Sequence, residues 1–217
     1  MQESSTQHPR HKTKRSYAGM PPEERIARRR QQFMDAGRQL FGTMGYRKVT
    51  VRLLCAEAGL TDRYFYESFP STEALLVAVY QEMIDHLEHT ILVALATTSG
   101  ETMEQRIKIG LDAFYQVAED PLLSRVIWIE ILGISPGIDA IYNQTLRRFS
   151  NLLFTLSQVM IPTLPVSEAV VRTAFMGLIG AVSETAKDWL HSDYSQSRET
   201  LVEGNMLLFS GLVAMVR

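Results

Sequence analysis

Beyond residue 20, apolar residues recur every three or four positions almost to the end of the chain, and no convincing alternating run interrupts them. This pattern predicts an all-helical protein. Pro21 and Pro22 open a first helix, with Glu23 and Glu24 placed to favour its dipole, and the periodicity carries it to about Met44. Phe33, Leu40, Phe41 and Met44 form its apolar face. Gly37 within it costs up to ~1 kcal/mol relative to alanine, which points to close approach by another helix. Two much shorter helices then meet at Ala58-Gly59-Leu60. Thr50 caps the first, whose apolar face is Val51, Leu54, Cys55 and Ala58. Gly59 stops it in the left-handed conformation, and Thr61 caps the second. Helices joined by so tight a turn must cross, leaving Asp62, Arg63, Tyr64 and Glu67 outward while Leu60, Phe65 and Phe69 hold the element to its neighbours. A short projecting helix of this kind suits the major groove of double-stranded DNA.

Further breaks fall at Thr97 to Glu101, Asp120-Pro121, Gly133 to Gly137, Ile161 to Val166 and His191 to Ser197. They divide the rest into helices near 72–96, 102–119, 121–132, 138–160, 167–190 and 198–216. Three regions follow: a polar arm over 1–20, a helix-turn-helix domain over 21–71 and a helical bundle over 72–217 large enough to enclose a ligand cavity. Within the bundle, Phe114, Tyr115, Trp128, Glu130 and Ile131, with Tyr142, Phe149, Phe154 and Phe175, are the large or polar residues whose spacing allows convergence on such a cavity. Core packing is the competing role for most of them. The last two helices hold more apolar residues than one core face requires. One carries the small-residue strip Gly177, Gly180, Ala181 and Glu184; the other carries Leu201, Leu208 and Leu212 on one side and Phe209 on another. Doubled faces of this sort suggest a twofold partner rather than core packing alone.

Charge sharpens the division. Residues 1–72 hold 13 Lys or Arg against 7 Asp or Glu, whereas residues 73–217 hold 9 against 17. A basic end suits a polyanion, and an acidic body repels one. Arg10, His11, Lys12, Lys14 and Arg15 form a basic arm with minor-groove entry and simple solvation as its two readings. Arg28, Arg29 and Arg30 start the first helix, where a phosphate contact competes with solubility. Cys55 is the single cysteine, so no intrachain disulfide forms, and its place on an apolar face predicts an inert thiol. There is no secretory signal, and Glu130, Glu184 and Glu203 interrupt the longest apolar runs, so a cytoplasmic protein without membrane association is expected. Catalytic signatures are absent: no phosphate-binding glycine loop, no paired-histidine metal helix, no nucleophile elbow. His86 and His89 lie one turn apart beside Asp85 and Glu88, but exposed helix residues have the same spacing, so neither metal nor cofactor is expected.

The stretch from about 28 to 78 resembles the TetR family of bacterial transcription regulators. The resemblance rests on Phe33, Ala36, Leu40, Phe41, Gly45, Tyr46, Thr50, Val51, Ala58, Gly59, Leu60, Thr61, Phe65, Tyr66, Phe69, Ser71, Glu73 and Leu75 in order and spacing. Three positions depart from the family pattern. Arg63 stands where a small residue is usual, Ser68 replaces a His or Tyr, and Thr72 replaces a phosphate-binding Lys. The resemblance implies a homodimer whose two C-terminal helices pair with their copies in a four-helix interface, placing two readers ~34 Å apart on a palindromic operator. It further implies a repressor whose grip on DNA is changed by a small molecule in the bundle. Arg63 and Tyr64 are then the base-edge candidates, with Asp62 and Thr61 on the same reading surface; Lys48, Thr50, Arg52, Tyr66, Thr72 and Arg28 position phosphates. A helical enzyme or lipophile carrier with a bundle cavity, and a ligand-independent architectural DNA-binding protein, are the alternatives. Ligand-dependent, sequence-specific DNA release separates the regulator from both.

Overall fold

The computed structural model describes residues 21–97, 100–160 and 166–216; the basic arm expected over 1–20 lies outside the described residues. All regular structure among them is helical. Helix α1 (Pro22–Met44) ends at Gly45, a single 3-10 turn (Tyr46–Lys48) follows, and α2 (Val51–Ala58) and α3 (Asp62–Ser68) complete the reading domain. Then come α4 (Thr72–Ala96), α5 (Met103–Ala118), a short α6 (Pro121–Arg125) running into a π-helical turn (Val126–Glu130), α7 (Pro136–Met160), α8 (Glu168–His191) and α9 (Arg198–Val216).

Local chemistry fixes the ends. Thr50 Oγ1 accepts the Leu53 amide at 3.3 Å and Ser71 Oγ accepts the Ala74 amide at 3.1 Å, each satisfying a first-turn donor. Thr102 and Gln105 form a reciprocal capping box at the start of α5. Gly59 sits at φ +65°, the left-handed conformation that halts α2. The expectation for Thr61 is corrected: its side chain makes no capping bond to α3. Helix α3 enters from an extended Thr61 with Asp62 in its first turn, where the carboxylate complements the positive end of the helix.

The reading domain is packed solid. Phe33, Phe41, Leu54 and Phe65 are fully buried, and the Phe33 and Phe65 rings meet edge to face with centroids 5.3 Å apart. A Cβ on Gly37 would lie 3.2 Å from both Leu75 and Val79, so the glycine does admit another helix, and that helix is α4. A second close approach was not foreseen: a Cβ on Gly42 would lie 2.8 Å from the Leu122 Cα, which brings the α6 backbone directly onto α1. Helix α8 is the one described helix long and apolar enough to cross a membrane by length and composition. Its Val171, Phe175, Leu178, Val182, Ala186 and Trp189 are nevertheless buried within the bundle.

Candidate functional sites: a DNA-reading face, an apolar channel and their junction

Two arginines of α1 brace the candidate reading face. Arg29 lies over the Tyr64 ring at 4.1 Å and reaches Glu67 at 3.8 Å, while Arg30 covers the Phe69 ring at 4.1 Å and donates to the Ser68 carbonyl at 3.0 Å. Both therefore tie α1 to α3. Tyr64, expected at a base edge, is half-buried beneath Arg29, because the guanidinium occupies the ring face that an outward rotamer would offer to DNA. Arg63 remains largely exposed and donates to Glu67 at 2.9 Å, one turn along the same helix. Arg28, Lys48, Thr50, Arg52, Thr61, Asp62 and Tyr66 are exposed, and Thr72 is half-buried in the first turn of α4. Cys55 is buried, and burial with the neighbouring Asp62 carboxylate pushes its thiol up to about 11, so it stays protonated at physiological pH.

The bundle is hollow. A cavity of about 230 Å³ runs between α4, α5, α7 and α8 and is closed on one side by α9. Its walls are chiefly aliphatic, from Leu87, Ile91, Leu95, Ile107, Leu146 and Leu153 among others. The walls from α4 and α7 run parallel in register. Ser135 Oγ donates to Glu73 at 2.9 Å and Arg148 to Asp85 at 2.9 Å, at separations of 62 and 63 residues. Tyr80 lies near Tyr142 at one end, and Tyr80, Leu95, Tyr142 and Ser157 all line the cavity. The α4 wall from Tyr80 to Leu95, fifteen residues at ~1.5 Å rise, spans roughly 22 Å.

Phe114, Trp128, Tyr142, Phe149 and Phe175 line the channel. The remaining four candidates lie elsewhere, because helical spacing shows that a residue faces inward but not whether a void or a neighbour meets it. Tyr115 is fully buried in a polar knot joining α5, α8 and α9: its hydroxyl pairs with Thr185 at 2.6 Å and accepts from Asn205 at 2.8 Å. Burial pushes its phenol up to about 12, against the lowering pull of those bonds. Ile131 is core, and Phe154 is buried beneath the Arg172 guanidinium at 4.0 Å. Conversely, Tyr80 and the aliphatic wall line the cavity without a sequence signal, since aliphatics at helical spacing carry no mark distinguishing cavity from core.

Glu130, the ninth candidate, forms the junction between the two regions. Its Oε2 accepts the Tyr46 amide at 2.7 Å and its Oε1 accepts from Arg125 at 2.9 Å. Gly45 must be glycine twice over: φ is +85°, and a Cβ would lie 2.9 Å from the Glu130 carboxylate. Arg38 also reaches Asp120 at 2.5 Å, while Asp120 caps α6. Two and three residues before Glu130, Trp128 and Ile127 line the channel. The wide π-helical turn thus presents one side to the cavity and the other to the reading domain, and such turns recur at functional sites.

On the outer face of α8 and α9, Gly177 and Glu184 are exposed, Gly180 and Ala181 half-buried, and nothing stands within 4 Å of a Cβ on either glycine. Leu208 is 49% exposed, accompanied by two residues not foreseen, Leu207 at 76% and Val170 at 56%. Leu201 and Phe209 are corrections to the expected interface. Both are buried within the subunit, and Phe209 and the half-buried Leu212 line the channel, because the turn of α9 directs that stripe inward. Among the described residues no group of three His, Cys, Asp or Glu side chains is arranged to hold a metal; Asp85 and Glu88, beside the two histidines, are paired with Arg148.

A helix-turn-helix domain joined to a hollow helical bundle is the architecture of a DNA-binding regulator, and comparison with known proteins makes it more specific. Residues 33–79 match the family model for bacterial regulatory proteins, tetR family. The chain is 26% identical over 179 residues to the HTH-type transcriptional activator FasR of Mycolicibacterium smegmatis, covering 82% of this chain and 80% of FasR. Among solved structures, the fatty acid degradation regulator FadR of Bacillus halodurans superposes with a TM-score of 0.72 at 23% identity, over 85% of this chain and 96% of that one. FadR of Bacillus subtilis, solved with stearoyl-CoA, gives 0.70 at 20% identity, over 83% and 98%. Residues 33–79 thus form a DNA-binding domain of the tetR-family type, and most of the chain is similar to a transcription regulator that carries such a domain.

Proposed function

We propose that this regulator binds a palindromic operator as a homodimer and that a long apolar ligand, an acyl chain or its CoA thioester, sets its affinity for DNA from within the channel. The observation carrying this reading is the π-helical turn, whose Trp128 lines the channel while its Glu130 holds the Tyr46 amide. A ligand that pushes on the turn in one state of the reading domain more than in the other shifts the population between them. The stearoyl-CoA bound by FadR of Bacillus subtilis supports the ligand class. The domains divide at residues 21–71 and 72–217, with Leu207, Leu208, Val170 and the open glycine strip forming the twofold interface. On the reading face, Arg63 and Tyr66 approach bases while Lys48, Thr50 and Arg52 position phosphates. The setting is the bacterial cytoplasm, and no catalytic role is assigned. Ligand-driven release makes the protein a repressor; FasR, named an activator, makes the sign of the response worth measuring.

The test is an operator selected from random duplexes, titrated with and without stearoyl-CoA, with Trp fluorescence reporting occupancy. The expected outcome is a change in operator affinity of about tenfold or more, equivalent to ~1.4 kcal/mol of coupling. Unaltered affinity at demonstrated saturation overturns the ligand reading, and failure to enrich any sequence overturns the DNA reading.

A further inference from the structure

One side chain in the channel is at odds with its surroundings. Tyr80 is 1% exposed and lines the cavity, yet its hydroxyl has no hydrogen-bond partner. Thr145 donates its hydroxyl to the Ile141 carbonyl at 3.2 Å and lies near enough to the phenol to pull against the effect of burial, but it forms no hydrogen bond of good geometry with Tyr80. An unpaired polar atom in an apolar wall is a standing cost to the empty protein, and it is relieved by whatever brings an acceptor or donor to it. Tyr142 and Thr145 line the same end, so three hydroxyls gather there, while Ser183 on α8 and Ser157 toward the other end supply the remaining hydroxyls of the lining. Burial holds both Tyr80 and Tyr142 above the ordinary tyrosine range, so both stay neutral.

The two ends differ in charge. Arg106, half-buried, is the single charged side chain among the described residues lining the channel. It lies on α5 one turn beyond Gly110, whose Cβ would meet Leu95 at 3.7 Å, and so belongs to the end farthest from Tyr80. An anionic headgroup is therefore favoured at the Arg106 end. At the Tyr80 end, next to the junction with the reading domain, a charge would be stranded in low dielectric, but a neutral oxygen would find donors.

We propose that Tyr80, with Tyr142 and Thr145, forms a polar subsite for a neutral oxygen, so that the preferred ligand is a long-chain acyl compound bearing a hydroxyl or keto group near its tail. This rests on the acyl reading above and adds the ligand's orientation, headgroup outward and oxygenated tail inward. The span bears on chain length: roughly 22 Å separates Tyr80 from Leu95 along α4, set by its ~1.5 Å rise, so only a long and extended chain with its headgroup at the Arg106 end carries an oxygen toward Tyr80.

The test compares hexadecanoate, 16-hydroxyhexadecanoate and hexadecanedioate by intrinsic Trp fluorescence, on the wild-type protein and on Tyr80→Phe. The wild type should bind the hydroxy acid about tenfold more tightly than hexadecanoate, and the dioate more weakly than either. Tyr80→Phe should erase the preference while circular dichroism reports an intact helical fold. Equal binding of hydroxy acid and hexadecanoate by the wild type overturns the subsite and leaves the acyl reading standing, and this arm needs no variant. Equal loss of both ligands in Tyr80→Phe overturns the orientation, since it places the carboxylate at Tyr80. Failure of all three to bind overturns the acyl reading and the subsite with it.

Discussion

The reading domain and the bundle are both built from apolar helices, but one is filled and the other is not. Around Phe65, rings from α1 and α3 interlock edge to face, and Arg29 and Arg30 seal the outside. In the bundle, helices of similar composition stand apart across a channel lined by Leu87, Ile91 and Ile107. The difference is not hydrophobicity, which is ample in both, but whether facing side chains meet. A filled core yields one rigid shape, as a base-reading surface requires; a hollow one gives up contacts that a guest restores.

The comparison breaks most readily at Phe65. Phe65→Ala should remove about 3–5 kcal/mol of stability, because the surrounding rings cannot collapse into the gap. Denaturant titration checks this, and a loss below ~1 kcal/mol would show the reading domain to be as loosely filled as the bundle. On the surface of the same domain, Arg63→Ala should cost ~1–3 kcal/mol of operator affinity and relax preference at one base pair per half-site, as seen by repeating the operator selection. Uniform weakening across all sequences would make Arg63 a phosphate contact instead. The smallest effect belongs to the channel wall. Ala174→Leu adds volume where a void lies, so it should raise stability by about 0.5–2 kcal/mol while excluding a long-chain ligand. Destabilisation of that size would show the channel walls to be already in contact.

The same contrast explains how much was legible in the sequence. The reading domain's helices, the cap at Thr50 and the stop at Gly59 are written in residues close along the chain, and they lie where the pattern predicts them. Six body helices were also legible, within a few residues at their ends. That Arg29, most of a domain away in sequence, lies over the Tyr64 ring was not legible. The channel was legible only in part, since a void has no residue of its own. Tyr115 and Phe154 share the spacing of Phe114 and Phe149 and differ only in what lies opposite. Glu130 stands among the polar candidates of the bundle, but its partner, a backbone amide 84 residues earlier, carries no side-chain signature.

The parallel register of α4 and α7 also bears on the order in which the molecule assembles. Antiparallel neighbours are joined by a short turn, but a parallel pair needs the chain to travel back, here through α5 and α6, before the second wall can be laid against the first. The contacts closing the channel span 62 and 63 residues, and each carries the entropy of closing a loop of that length, whereas those that build α1 to α3 are far more local. On a ribosome the reading domain therefore emerges and packs first. The hollow bundle is completed only when α7 and α8 arrive, so each new chain has a period in which its DNA-reading surface is folded while the cavity still stands open.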